Sequence, residues 1–370
     1  MRRILITKTA IYLTLLLLLS AAVCGCVSES GGASGGTGSG SGGTGGSGSL
    51  GGSGSSGISD GSGTAADTNP DRNGNAGATG GKGGAVGTDQ NGGTTADIGA
   101  IIIERSGVIK KHAFAITRDN IICENIISPS ILKDDGLYPM IDFEMSLITI
   151  SPNHETPMHL LKGTSESMFI LSGNADMLIN GRFMTAEQGN LVHVPKNTPM
   201  IVRNGGRSDL KYLSITYPPY SPENEILDSD SEFNKLRADS EDATAIIVSE
   251  VTPEVFFKDV TVANLINPKI IKDYNQNYSI GCGIAYITIP EGSQTEPHIV
   301  EGTTEVDHIL KGKGEFAVNS RIMAFDEGDT LYIQSGAHQS ITNTGDGDLV
   351  YLSITCPPYD PGVDSSVKSK

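Results

Sequence analysis

The sequence predicts an all-β protein: two tandem barrels of the jelly-roll kind behind a long N-terminal tether. Three observations carry this. The chain from Asn125 to Tyr220 superimposes on Asn264 to Tyr359 without a gap, so it is an internal duplication. Each copy is a series of short alternating or apolar runs, such as "SLITI", "SMFILSG", "NLVHVP" and "LKYLSITY", separated by Gly, Asn, Pro and Asp turns. None sustains a helical period, and short strands at this spacing build a sandwich or small barrel. Ahead of the copies, a stretch made almost wholly of Gly, Ser, Thr, Ala, Asn and Asp holds over half of the 47 glycines and cannot build a core.

Taken in order, the chain opens "MRRILITKTAIYLTLLLLLSAAVCGC": a basic start, an apolar run from Ile11 to Leu19, then small residues. That is the order of a secretory signal, too short for a spanning helix of ~20 residues. Val23-Cys24-Gly25-Cys26 resembles the lipobox of prokaryotic lipoproteins, which implies lipidation at Cys26, with Cys24 as the alternative; an ordinary cleaved signal is the competing reading. The expectation is an extracytoplasmic protein, lipid-anchored to a prokaryotic cell membrane. The tether is expected to be disordered, with an average reach of ~45 Å. The boundaries read as signal 1–26, linker 27–100, first barrel 101–225, acidic linker 226–245 and second barrel 246–370. About 270 residues suit two domains, expected to pack on each other. The linker "SPENEILDSDSEFNKLRADSEDA", Ser221 to Ala243, reads as surface, with one short helix at most.

A formal charge of −17 argues against nucleic acid or anionic headgroups as partners of the protein surface. There is no tryptophan and only 5% of residues are aromatic, which weakens a stacking site. Cys123, Cys282 and Cys356 form no C-x-x-C; one disulfide is possible, but its pairing is not readable. Asn180-Gly181 is a type I′ hairpin signal, which gives Arg182 and its repeat partner Arg321 a structural role after the turn.

Copy two carries Gly292, His298, Val300, Glu305 and Gly312, then Gly328, Gln334, Gly336, Gln339 and Asn343. Copy one carries Asn153, His159, Leu161, Glu166 and Gly173, then Gly189, Pro195, Asn197, Met200 and Asn204, at the same spacings. These resemble the two cupin signatures, G-x5-H-x-H-x3,4-E-x6-G and G-x5-P-x-G-x2-H-x3-N. The chain is similar to a two-domain bicupin, and to the small type-2 cupins often labelled mannose-6-phosphate-isomerase-like.

The resemblance implies an inward set of three histidines and one glutamate holding a divalent transition metal such as Mn, Fe, Zn, Ni or Cu. Carried over, it leaves His298 and Glu305 in copy two; Val300 cannot ligate, and Gln339 offers only a neutral amide oxygen. Strand alternation adds Asp307 to the face of Glu305 and Glu296 to that of His298, and a His/Glu/Asp set resembles a facial triad in composition. The competing reading solvates Asp307 and lets Glu305 accept from Gln339 or His298. His338 and His308 should point away. Copy one retains His159 and Glu166, with Leu161 and Met200 at ligand positions and Met168 at that of Asp307. It reads as a hydrogen-bonded His159–Glu166 pair in an apolar barrel, with His193 as a further inward candidate. The expected ligand site is therefore His298, Glu305, Asp307 and Gln339, with His298 and Glu305 holding any metal. Three functions follow: a small polar ligand, a sugar or carboxylate, bound in the second barrel; a metal-dependent isomerase or dioxygenase; or a non-catalytic interaction module.

Overall fold

The computed structural model describes residues 99–105, 110–111, 120–134, 140–236, 243–270 and 280–366. The signal, Cys24, Cys26 and the tether lie outside them. The described chain is nearly all strand, with one six-residue α-helix, Pro129–Asp134. Each repeat forms a seven-stranded and a five-stranded sheet, and all the ladders are antiparallel.

The barrel interiors follow from alternation. On the strand Thr304–Lys311, Ile309 joins the second barrel's own apolar cluster, whereas Val306 joins a cluster drawn from both repeats. Odd positions therefore face into the barrel and even positions face out. The shared cluster combines Phe143, Leu213 and Ile215 of the first repeat with Ile284, Leu352 and Ile354 of the second.

Two strands cross between repeats. Ala100–Ile103, ahead of the first repeat, pairs with Thr330–Ile333 in the second barrel, while Thr244–Ile247 pairs with Asn190–Val194 in the first. Both take edge positions of their seven-stranded sheets; Ala100 and Ile103 are buried there, whereas Ala245 and Ile247 remain exposed. Arg321 ties the first crossing down by donating from its guanidinium to the Ala100 carbonyl at 2.6 Å. Asn180 and Gly181 both have positive φ, 48° and 76°, as the type I′ hairpin requires.

The acidic stretch after the first repeat begins as barrel wall. Glu225–Leu227 is a strand paired with His159–Leu161, and Glu225 is buried. Net acidity concealed the alternation that buries one carboxylate while its neighbours remain solvated. Residues 237–242 of that stretch lie outside the described chain.

Candidate functional site

The short strand His298–Val300 lies beside His338–Asn343 and sets His298 directly opposite Gln339. The His298 ring donates from Nδ1 to the Glu296 carbonyl at 2.8 Å, which leaves Nε2 as the free acceptor. His159 repeats this with the Pro157 carbonyl at 2.9 Å. Glu305 accepts from Gln339 Nε2 at 2.8 Å and from Ser353 Oγ at 2.9 Å. The structure thus supplies the Gln339–Glu305 bond weighed from sequence, and adds Ser353.

Asp307 does share the inward face of Glu305, but it is fully buried and does not line the cavity. Neither of its oxygens has a hydrogen-bond partner among the described residues. Ser353 faces it across the ladder but gives its single hydroxyl proton to Glu305. Burial, and then the Glu305 charge, hold the Asp307 carboxyl well above the usual carboxylate range. The expected solvated aspartate at the barrel mouth is therefore corrected to a buried one, because its position two residues farther along the strand is deeper in the interior. Glu296 is also corrected: its side chain is exposed, and only its carbonyl serves the site. His338 is exposed. His308 is buried on the outward face against Thr330, and burial holds its pKa down at about 4.

These side chains line a cavity of about 90 Å³. His298, Val300, Glu305, Gln339, Ser353, Tyr359 and Asp364 contribute, as do Phe256 and Phe257 from the preceding hairpin. Phe257 and Lys258 adopt left-handed backbone, φ 44° and 74°, at the tip of that hairpin. This turn lays the Phe257 ring against the His298 ring, centroids 5.0 Å apart. Tyr359 donates to Asp364 Oδ2 at 2.8 Å. Among the described residues, no lysine or arginine lines the cavity.

The first barrel retains the frame with less space, a cavity of about 20 Å³. Ser214, at the position of Ser353, donates to Glu166, and Tyr220 donates to Glu225 at 2.9 Å as Tyr359 does to Asp364. The expected His159–Glu166 pair is corrected: His159 spends Nδ1 on a backbone carbonyl, and Glu166 is satisfied by the serine. His193 is corrected too, because Val192 and Val194 take the inward positions and its ring faces out to Ser167 at 2.9 Å. Burial, opposed by the Ser214 hydrogen bond and assisted by the Glu225 charge, raises Glu166 to about 7. Burial holds His159 below its ordinary value. Leu161, Met168 and Met200 fill space that Val300, Asp307 and Gln339 leave, and Glu144 stands where the second repeat has Gly283.

The donors present do not fit the transition-metal centre that the signatures imply. His298 Nε2 and the Glu305 carboxylate are two strong donors; Val300 has none, and Gln339 turns its amide nitrogen toward Glu305. Among the described residues no three His, Cys, Asp or Glu side chains converge as a metal-holding group. Residues missed from sequence are Tyr359, Asp364, Ser353 and Phe257. The first two had a signal: "PPY" recurs in both repeats, followed five residues after the tyrosine by an acid.

A family model described as Cupin domain matches residues 146–216 and 285–355. The "Oxalate-binding protein" of Thermotoga maritima is 30% identical over 121 residues, covering 30% of this chain and 95% of that protein. An uncharacterized protein of Methanocaldococcus jannaschii is 28% identical over 114 residues, covering 30% of this chain and 86% of that protein. Among solved structures, the formate complex of Lactobacillus farciminis oxalate decarboxylase has a TM-score of 0.55 at 17% identity, over 74% of this chain and 90% of that one. The 7S globulin of Momordica charantia has a TM-score of 0.54 at 12% identity, over 69% and 84%. At these identities the structures speak for the fold alone.

Proposed function

Because this chain belongs to the cupin family, with two such domains in tandem, we propose that it binds a small, neutral, hydroxyl-rich molecule of the sugar or polyol class in its second barrel. The observation that carries this is the cavity itself. It is open in the second repeat and nearly filled in the first, and among the described residues it is polar on one side without a lysine or arginine. A water fills ~10–15 Å³, so a cavity of about 90 Å³ admits a small molecule rather than a single water. Glu305 and Asp364 accept from ligand hydroxyls, Gln339, Tyr351 and Thr355 supply further polar groups, and Phe256, Phe257 and Ile341 meet the carbon skeleton.

The Thermotoga maritima relative favours a second reading, a small carboxylate. Among the described residues, an oxalate-sized dianion would sit against Glu305 and Asp364 with no fixed countercharge, which is costly at low dielectric. It would need a cation or a proton to enter. The donor set does not support a metal-dependent step at this site.

Export and lipidation at Cys26 are part of the proposal, supported by the order of the signal and the tether composition. Stable anchoring takes two acyl chains on that cysteine. Replacing Cys26 with Ser should move the protein to the soluble fraction; continued membrane association would assign the anchor to Cys24. We also propose that the two barrels pack as one body, supported by the shared apolar cluster.

Calorimetric titration of the full chain tests the ligand class. Erythritol should bind saturably, Gln339→Ala should weaken it about tenfold, and oxalate should give no heat with chelator present. Oxalate binding in chelator with erythritol silent would establish the carboxylate reading. Oxalate binding only with added Mn(II) would establish a metal-dependent one.

A further inference from the structure

Three cysteines are buried in the described chain, all as free thiols, and the thiols of Cys282 and Cys356 share a hydrogen bond. The strands Gly283–Ile289 and Leu349–Cys356 pair antiparallel through Gly283 opposite Thr355. One step along that register sets Cys282 opposite Cys356. Directly opposed antiparallel residues have Cα atoms ~4.5–5.5 Å apart, inside the ~4.4–6.8 Å window of disulfides. We propose that Cys282 and Cys356 are a redox site, which a peroxide converts to a cross-strand disulfide and a dithiol reductant restores.

The surroundings agree. Both thiols belong to the apolar cluster shared by the repeats, away from the ligand cavity. Burial raises the Cys282 thiol, and its hydrogen bond with Cys356 adds to this. The same bond holds Cys356 below its ordinary value, against burial and with help from the Asp142 backbone. Cys356 Sγ lies 3.9 Å from the Gly281 carbonyl, and the next residue, Pro357, is exposed. The charged and titratable groups facing the pair are Asp142 and Tyr217, both from the first repeat. Cys123 is on a strand of the first barrel, in a different cluster. The first repeat has Phe143 and Tyr217 at the corresponding positions, so this chemistry is confined to the second.

The step balances with hydrogen peroxide as the oxidant. The Cys356 thiolate attacks one peroxide oxygen, the O–O bond breaks, and a sulfenic acid and one water form. The Cys282 thiolate then attacks that sulfur, forming the S–S bond and releasing the second water. Two thiols and one peroxide become one disulfide and two waters. The bond would fasten neighbouring strands whose inward residues, Gly283 and Thr355 among them, line the ligand cavity.

The folded full chain should be treated with hydrogen peroxide, alkylated and digested for mass spectrometry. The expected product is one cross-linked peptide pair joining Cys282 to Cys356, ~2 Da lighter than the two reduced peptides together and separated by dithiothreitol. Cys123 should remain unmodified until the protein is denatured. The thermal midpoint should rise on oxidation in the wild type and in Cys123→Ser, but not in Cys282→Ser or Cys356→Ala. Full alkylation of both cysteines after peroxide, separate sulfinic acids, or an unchanged midpoint rise in both single variants would overturn the assignment.

Discussion

Glu305 and Glu166 occupy one position of the repeat in different surroundings. Glu305 borders an open cavity and accepts from Gln339 and Ser353; Glu166 is enclosed, with Ser214 as donor and Glu225 nearby. Glu305→Gln retains shape and hydrogen-bonding capacity while removing a charge, so stability should stay within ~1 kcal/mol or rise. A loss above that, with near-stoichiometric metal in the wild type and a chelator-sensitive midpoint, would restore the metalloenzyme reading. Glu166 gives a pH-dependent expectation. Its pKa rises from 4.5 to about 7 on folding, so between those values the native state holds more protons than the unfolded state. Its contribution is fully present below 4.5 and is lost as pH rises through about 7, a penalty of up to roughly 3 kcal/mol. Glu166→Gln should therefore gain on the wild type progressively over that window in denaturant titrations. A stability difference that does not change with pH would disprove the shift. The buried histidines His159, His193 and His308 tilt the curve the other way, so the comparison must be made as a difference.

At the scale of elements, the crossing strands matter most. Ala100–Ile103 completes the second barrel's sheet, and Arg321 holds it through the Ala100 carbonyl. Removing this charge-assisted bond with Arg321→Ala should cost about 1.5–3 kcal/mol locally. Hydrogen exchange should show it as faster exchange at residues 100–103, with little change at Thr244–Ile247. Equal acceleration of both segments would mean that the arginine supports the whole body. The hairpin tip shows why local rules miss a site residue. A Phe-Lys tip in left-handed backbone is unfavourable for both residues and is not a turn signal, yet it delivers Phe257 to His298.

For the whole molecule, the question is where the folded body starts. Deleting residues 28–96 should leave its thermal midpoint nearly unchanged, because that stretch lacks apolar residues to offset its ordering entropy. Extending the deletion through Ile103 should lower the midpoint by several degrees, since it opens an edge of the second barrel. A large drop from the first deletion would show that the tether packs on the barrels. The duplication and its signatures were legible because turns and alternation are local, so the same spacings recur in both copies. That His298 and Glu305 both face one barrel interior was legible for the same reason. Ser353 was not, because it meets Glu305 through strand pairing across the repeat, whereas Tyr359 and Asp364 left a signal in the recurring PPY and the acid five residues on.

Sequence alone determined the all-β class, the two barrels, and the loss of ligating side chains at Val300 and Gln339, since each depends only on residue type and periodicity. Tertiary structure alone decided which barrel keeps its cavity, where Asp307 lies, and which strands cross. It also decided which two of the three thiols meet. These depend on summed side-chain volume and long-range register: Leu161 and Met200 fill one interior while Val300 and Gln339 leave the other open, and a ladder between distant strands sets Cys282 opposite Cys356.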